Sequence, residues 1–223
     1  MRLVKVFTEV RFPETILFKE LKVINSIIKE MKNFFPICNH QDNQGMIICL
    51  NPEKQINAFI NSTRVIVNVE KPNEITDIKT VSKKIIPPVL KRLEIDETEH
   101  IGVRAYYIDE RYDNEKDCKE IISKKFLNID NSFLKHTDYI LPRAGLSIKV
   151  NREFLIHINI GLHQTGTAKI NEKGKLEPQV TKTYPLIDLD MLTTEPKNPD
   201  QLNGVITYCC SEITKYPHKV WGD

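Results

Sequence analysis

The 223-residue sequence contains no long hydrophobic run and no strong charge imbalance. A membrane-spanning helix needs about 20 consecutive apolar residues, and no run approaches that length. The 32 basic residues are nearly balanced by 30 acidic ones, so the sequence lacks the global positive field typical of dedicated nucleic-acid-binding proteins. The opening segment, MRLVKVFTEVRF, mixes charged with apolar residues, unlike a signal peptide. We therefore expect a cytoplasmic protein that contacts no membrane.

Signals for catalysis and for metal binding are also missing. The five cysteines lack the CxxC spacing that zinc sites use, and a chain of this length does not depend on disulfides, so we expect reduced thiols. They are Cys38, Cys49, Cys118, Cys209 and Cys210. The sequence has no Walker-type loop, no GxGxxG after a strand, no HExxH and no GxSxG. These absences favour a non-enzymatic protein without a cofactor.

Hydrophobic periodicity predicts a strand, a helix, several short strands and a second helix in the first part of the chain. Residues 3–12 alternate as a half-buried strand does, and residues 15–35 place apolar side chains at helical steps of three and four. Residues 74–93 also have helical spacing, although Pro87 and Pro88 must kink or split this helix. Turn-prone segments separate three or four short strands near residues 36–40, 45–50, 55–60 and 64–70.

The rest of the chain repeats a similar order of elements. Its segments are a strand at residues 100–110, a helix ending near 127, strands within 139–160, a mobile hairpin or loop at 161–178, a strand at 184–192 and a closing helix at 199–216. We predict an α+β fold with helices on one face of one large curved antiparallel sheet or of two sheets. The chain divides into two related α+β halves, 1–112 and 113–223, or forms one continuous domain.

Three short segments are spread in order across most of the chain: EVRF at residues 9–12, IGVRAY at 101–106 and DLD at 188–190. Together they resemble a sporadically distributed family of uncharacterised prokaryotic proteins, whose strands carry EVRF, IGLRY and DID. The middle segment departs from that pattern by an alanine inserted before the tyrosine. The family has no assigned activity, so the resemblance implies no catalytic residue. Scattered occurrence is common among genes of mobile elements and defence loci, and the resemblance therefore suggests an accessory role in such a locus.

Arg104 lies in the middle of a predicted strand, where its guanidinium group needs a partner. Because side chains alternate along strands, Glu9, Arg11 and Arg104 share one sheet face if their two strands are neighbours. An unpaired buried guanidinium is costly, so Arg104 either forms an internal ion pair, most simply with Glu9, or receives an anionic ligand. These three residues are candidate anion-binding residues, since the planar donors of arginine suit phosphate and carboxylate groups.

Asp188 and Asp190 are two residues apart on a predicted strand, which places both carboxylates on one face. His157 and His163 are also separated by an even number of residues and share a face if their strand is continuous. Two carboxylates with two imidazoles could hold a divalent metal for phosphoester chemistry. Solvated acids and ordinary histidines are the simpler interpretation, so this metal site is the alternative to a protein without a cofactor.

These observations favour a non-enzymatic binding or interaction protein that works through a sheet face, with a protein partner or as a homo-oligomer. The alternatives are a metal-dependent phosphoester hydrolase or nuclease, and a protein that binds a small anionic ligand. Nucleic acid is a less favoured partner. The lysines of the predicted helices could meet phosphates, but no aromatic residues are interleaved with them to stack on bases.

Overall fold

The computed structural model describes residues 1–127, 144–170 and 176–222. Its strands form a single antiparallel sheet of nine strands in the order β2-β3-β4-β5-β1-β6-β9-β8-β7. The strands are β1 Arg2–Arg11, β2 Ile37–Gln41, β3 Met46–Asn51, β4 Ile56–Asn61, β5 Arg64–Glu70, β6 His100–Ile108, β7 Ala144–Lys149, β8 Phe154–Ile170 and β9 Leu176–Thr193. Strands from both predicted halves of the chain belong to this sheet, because β6 pairs with β9.

Helices cover one face of the sheet. They are α1 Leu21–Met31, α2 Asp77–Arg92, α3 Glu115–Ile122, α4 Leu202–Ile213 and α5 Tyr216–Trp221. Their apolar side chains join those of the strands in one hydrophobic cluster, which includes Ile27, Ile86, Ile122, Ile206 and Trp221. The α+β fold, with an antiparallel sheet and helices on one face, is therefore confirmed. Among the described residues, no helix is long and apolar enough to cross a membrane.

Alternation along the strands gives the sheet two different faces. In β1, Val6, Thr8 and Val10 are fully buried against the helices, and the intervening residues point the other way. The same alternation holds in β6 and β9, because the register is continuous between β6 and β9 and, from Lys5 to Arg11, between β1 and β6. We call the side opposite the helices the polar face. Its central residues are Lys5, Phe7, Glu9 and Arg11 of β1, Gly102, Arg104 and Tyr106 of β6, Asp188 and Asp190 of β9, and His157 of β8.

Helix α2 runs without interruption through both of its prolines, so the expected split does not occur. Pro87 and Pro88 have no N–H group to donate to the carbonyl groups of Lys83 and Lys84. Both lysines are exposed, so water can hydrate these carbonyl groups. The buried positions on the opposite side of α2 keep their packing against the sheet, which outweighs the local loss of two helical hydrogen bonds.

Of the two alternatives expected at residues 161–178, a hairpin or a loop, the described residues have the antiparallel pairing of a hairpin. Strand β8 continues to residue 170 and pairs with β9 from residue 176 onward, forming a long two-stranded ribbon. A change of register between Thr165 and Gly166 marks a bulge. A Cβ atom at Gly166 would lie 2.0 Å from the carbonyl oxygen of Gln179, so only glycine fits there. This glycine permits a close backbone approach within a strand, and it does not indicate a loop.

Two further expectations need correction. The single helix expected at residues 15–35 is divided into a 3-10 turn at Ile16–Lys19 and α1. Cys38 and Cys49 are directly opposed on β2 and β3 and form a disulfide, so the expectation of five reduced thiols holds only for the three buried free cysteines. The predicted strand segment at residues 139–143 lies outside the described residues.

Candidate functional site

The sheet register aligns a row of chemically active side chains across the polar face. Phe7 of β1 is opposite Arg104 of β6, and Arg104 is opposite Asp190 of β9. Asp190 is in turn opposite His157 of β8, and His157 is opposite Ser147 of β7. Directly opposed residues on antiparallel strands are close enough to interact. The fold therefore brings together Arg104, Asp190 and His157, three residues singled out from the sequence.

Arg104 forms a two-pronged ion pair with Asp188. Its Nε atom donates to Oδ1 at 2.6 Å and its Nη2 atom donates to Oδ2 at 2.5 Å. The Arg104 guanidinium also lies 5.7 Å from the ring centre of Phe7 and 5.3 Å from that of Tyr106. The hydrogen bonds to Asp188 raise the pKa of Arg104 further above its ordinary value. The Asp188 side chain is only 9% exposed, so this pair is a fixed part of the sheet face.

Glu9 is not the partner of Arg104, although the sequence made it the simplest choice. One Glu9 oxygen, Oε1, accepts from Arg11 Nε at 2.6 Å and lies 3.4 Å from Arg64 Nη1. The position opposite Glu9 on β6 is Gly102, whereas Arg104 is two pairs further along the strand, opposite Phe7. The two ion pairs therefore occupy neighbouring positions on the polar face. Arg104 is already neutralised by Asp188, which leaves it less available as a clamp for an anionic ligand.

A cavity of about 210 Å³ lies above Gly102, between these two ion pairs. The cavity exists because Gly102 has no side chain, whereas the neighbouring residues of the polar face have side chains that project away from the sheet. Its lining residues are Phe7, Glu9, Arg11, His100, Gly102, Arg104, His157, Asp190 and Leu192. An added Cβ atom at Gly102 would lie 3.4 Å from Leu192 Cβ, so a larger residue could be accommodated and would occupy the cavity.

Asp190 contributes an unsatisfied carboxyl group to this cavity. Within the described part of the chain, its carboxyl group has no hydrogen bond and no ion pair closer than 4 Å, although it is half-buried. Burial raises the pKa of Asp190, the charge of Arg104 lowers it, and the charge of Asp188 raises it. Burial and the charge of Arg11 lower the pKa of His100. The cavity thus combines an unpaired carboxyl group with a histidine that favours its neutral form.

Ser147 and His100 were not singled out from the sequence. The hydroxyl group of Ser147 lies 2.7 Å from Nδ1 of His157, which fixes the imidazole ring at the rim of the cavity. Ser147 is on edge strand β7, and only the strand register reveals that it is next to His157. Sequence periodicity could have placed His100 on the same face as Arg104, since both positions are even-numbered on one strand.

The four residues proposed as metal ligands do not converge. Asp188, Asp190 and His157 lie close together on the polar face, but His163 is opposite Tyr184, six residue pairs along the ribbon from the His157–Asp190 pair. Burial and the charge of Arg2 lower the pKa of His163, which lies near a different set of charges. Among residues 1–127, 144–170 and 176–222, no three His, Cys, Asp or Glu side chains form a group that could hold a metal ion. No observation therefore favours the metal-dependent alternative.

No protein-family model and no curated protein matches the chain. Among solved structures, one described as "Methanococcus jannaschii TBP" aligns over 96% of this chain and 98% of its own, with 13% identity and a TM-score of 0.29. This similarity is too weak to support an argument about fold or function.

Proposed function

We propose that this chain is a non-enzymatic binding protein that holds a small polar ligand, or the polar end of a larger one, in the cavity above Gly102. The observation that carries the proposal is the half-buried Asp190 carboxyl group, which has no hydrogen-bond donor within the described part of the chain. A half-buried polar group without a partner is costly to fold, and a bound ligand with an N–H donor would supply the missing hydrogen bond.

The charges around the cavity favour a dipolar ligand. Asp190 can accept hydrogen bonds from an ammonium or amide group, and one oxygen of Glu9 has no hydrogen bond to a described residue. Arg11 uses only Nε in its bond to Glu9, so its terminal nitrogen atoms can donate to a carboxylate or phosphate group. The proposed ligand class is therefore small molecules or peptide ends that carry both an amine and an anionic group.

The family resemblance supplies the proposed biological setting. It suggests a prokaryotic cytoplasmic accessory protein of a mobile-element or defence locus, with a macromolecular partner. A protein partner fits the cavity if a chain terminus or a charged side chain enters it. The chain as a whole has 32 basic and 30 acidic residues, and this near balance does not favour nucleic acid, whose binding depends on excess positive charge.

Thermal-shift measurements with defined probes test the proposal. The probes are glycine, lysine and arginine as dipolar ligands, with acetate and ethylamine as single-charge controls, each at millimolar concentration. We expect at least one dipolar probe to raise the melting temperature of the wild type more than either control does. Because ligands stabilise only the state that they bind, the increase reports binding to the folded protein.

Two variants locate the binding. Gly102→Leu fills the cavity and should abolish the shift, and Asp190→Asn should reduce it. Gly161→Leu is the matched control, because a Cβ atom at Gly161 meets nothing within 4 Å and this glycine does not line the cavity. An unchanged shift in Gly102→Leu, or the absence of any selective shift in the wild type, would overturn the proposal.

A further inference from the structure

We propose that two copies of this chain associate through strand β2, so that their two sheets join edge to edge. Strand β2 is at one end of the nine-stranded sheet and pairs only with β3 among the described strands. An edge strand exposes unpaired backbone N–H and C=O groups, which can form hydrogen bonds with another strand. The occupant that we infer is the β2 strand of a second copy.

The phase of the sheet hydrogen bonds shows which backbone groups face outward. Cys38 and Cys49 have Cα atoms 4.2 Å apart, the short spacing of a pair that does not exchange backbone hydrogen bonds. The Glu70 N–H group donates to the Gln55 carbonyl oxygen at 2.8 Å, so these two residues form a hydrogen-bonded pair. Hydrogen-bonded and non-hydrogen-bonded pairs alternate along antiparallel strands. Following this alternation from β5 through β4 to β3 again makes Cys38 and Cys49 a non-hydrogen-bonded pair. The backbone groups of Cys38 and His40 therefore point away from β3, toward the free edge.

A two-fold axis beside Asn39 satisfies these outward groups reciprocally. In an antiparallel pairing, Cys38 of one copy is opposite His40 of the second copy, and each residue donates and accepts one backbone hydrogen bond. The symmetry repeats this exchange on the other side of the axis, which gives a self-complementary contact. The two Asn39 side chains are then directly opposite each other. Pro36 ends the series of backbone hydrogen bonds between the two copies, because proline has no N–H group to donate.

The chemistry of the edge also favours association. The sequence of β2, ICNHQ, contains no lysine, carboxylate or proline of the kind that protects edge strands. Large apolar side chains are exposed in the segment that precedes and enters β2: Ile16 is 74%, Leu21 67%, Phe34 37% and Ile37 42% exposed. Few large apolar residues are this exposed elsewhere in the described chain, where only Leu146 and Val180 are comparable. A second copy would cover part of this surface as its own β2 docks.

This contact is independent of the proposed ligand site. The Gly102 cavity is formed by β1, β6, β8 and β9, and three strands separate β2 from β1 in the sheet order. A monomer could therefore still bind a ligand, and a dimer could form without one. The two proposals can fail separately.

Sedimentation velocity across micromolar to submillimolar protein concentrations tests the dimer. The wild type should dimerise, whereas Asn39→Lys and Asn39→Asp should each sediment as monomers because they place like charges together at the axis. Asn39 is exposed and makes no side-chain hydrogen bond within the described residues, so both variants should keep the fold. We expect each substitution to raise the dimer Kd by about tenfold or more. An equimolar mixture of the two variants should recover a heterodimer, because the opposed charges then attract.

The backbone contact has its own matched pair of variants. His40→Pro removes an outward N–H group without removing a hydrogen bond to β3, whereas His40→Ala loses the same side chain but keeps that N–H group. We expect the proline variant to be monomeric and the alanine variant to dimerise. A monomeric wild type would overturn the inference, as would dimers that persist in Asn39→Lys and His40→Pro, since the contact would then lie elsewhere on the chain.

Discussion

Asp188 and Asp190 are two residues apart on one strand and share a face, yet their surroundings differ. Asp188 accepts two hydrogen bonds from Arg104, which compensates for the burial of its charge. Asp190 is beside the same guanidinium group but receives no hydrogen bond from it or from another described residue. The first carboxylate therefore holds the sheet face together, and the second is available to a ligand.

Asp190 should make stability depend on pH in a defined direction. Burial raises its folded-state pKa above the ordinary value of 3.8, so the folded protein retains a proton that the unfolded chain releases. The favourable contribution of the protonated group is complete below the unfolded pKa and is lost as pH rises through the folded pKa. Asp190→Asn removes the carboxyl group whose deprotonation causes this loss of stability. It should raise the free energy of unfolding at neutral pH by about 1 kcal/mol, the scale of an unsatisfied buried polar group.

Urea unfolding of the wild type and Asp190→Asn checks this expectation, with measurements between about pH 4 and about pH 7. The two proteins should differ little at the acidic end, and the advantage of the asparagine variant should grow as pH rises. A constant difference across the range would show that Asp190 does not titrate differently in the folded and unfolded states.

The sequence predicted which site residues share a face but not which of them interact. Alternation correctly placed Glu9, Arg11 and Arg104 together, because side-chain direction is a local property of each strand. The Arg104 partner depends on which strand lies on each side of β6, and short motifs do not contain that information. Strand β9 supplies Asp188 from 84 residues away in the chain. The cavity above Gly102 was also missed, because it depends on side chains from four strands.

Most individual elements could be predicted from periodicity, and the exceptions have identifiable causes. The strands of the first half alternate clearly, and β2 to β5 lie where the short turns indicate them. Helix α2 was expected to kink or split because proline rules describe only the local cost to the backbone. It is not split, because its buried side chains pack against the rest of the core and stabilise the helix. The β8–β9 ribbon left a hairpin and a loop open as alternatives, because glycine also indicates loops, whereas Gly166 permits a close backbone contact within the ribbon.

One buried polar contact links α2 to the centre of the sheet. Ser82 Oγ donates to Thr8 Oγ1 at 3.1 Å, and both residues are fully buried. Thr8→Val keeps the shape of the side chain but leaves the Ser82 hydroxyl group without this partner. We expect Thr8→Val to lower the free energy of unfolding by about 1–3 kcal/mol, the usual cost of an unsatisfied buried group.

A double-mutant cycle separates the lost contact from a change in packing. Ser82→Ala combined with Thr8→Val removes both polar groups, so the double variant should be less destabilised than the sum of the two single variants. Denaturant unfolding of all four proteins gives the coupling energy. Strict additivity would mean that the two hydroxyl groups do not stabilise the α2–sheet contact.

At the scale of the whole molecule, the pairing of β6 with β9 explains why the chain does not separate visibly into its two predicted halves. Strand β6 comes from the first half and is central in the sheet, with β1 on one side and β9 on the other. The hydrophobic cluster also includes helices from both halves. The order of elements along the sequence showed two similar sets. It could not show that both sets belong to one sheet, because a shared sheet depends on a strand of one half pairing with a strand of the other half.

The three free cysteines can report on opening of this shared core. Cys118 is in α3, and Cys209 and Cys210 are in α4, and all three are buried. Burial raises the pKa of Cys118 to about 12 and that of Cys210 to about 11, and it raises the pKa of Cys209 as well. Because thiolates are the reactive form, a thiol reagent at about pH 8 should modify none of them in the folded protein.

In denaturant without a reductant, the same reagent should count three thiols, and after reduction it should count five, because Cys38 and Cys49 are paired. Five thiols without a reductant would contradict that disulfide. If one cooperative core holds both halves, Cys118 and the α4 cysteines should become reactive together as denaturant increases. Mass spectrometry of the labelled peptides distinguishes them. Reaction of Cys118 at lower denaturant would instead show that α3 opens separately, and the shared sheet would not unfold as one unit.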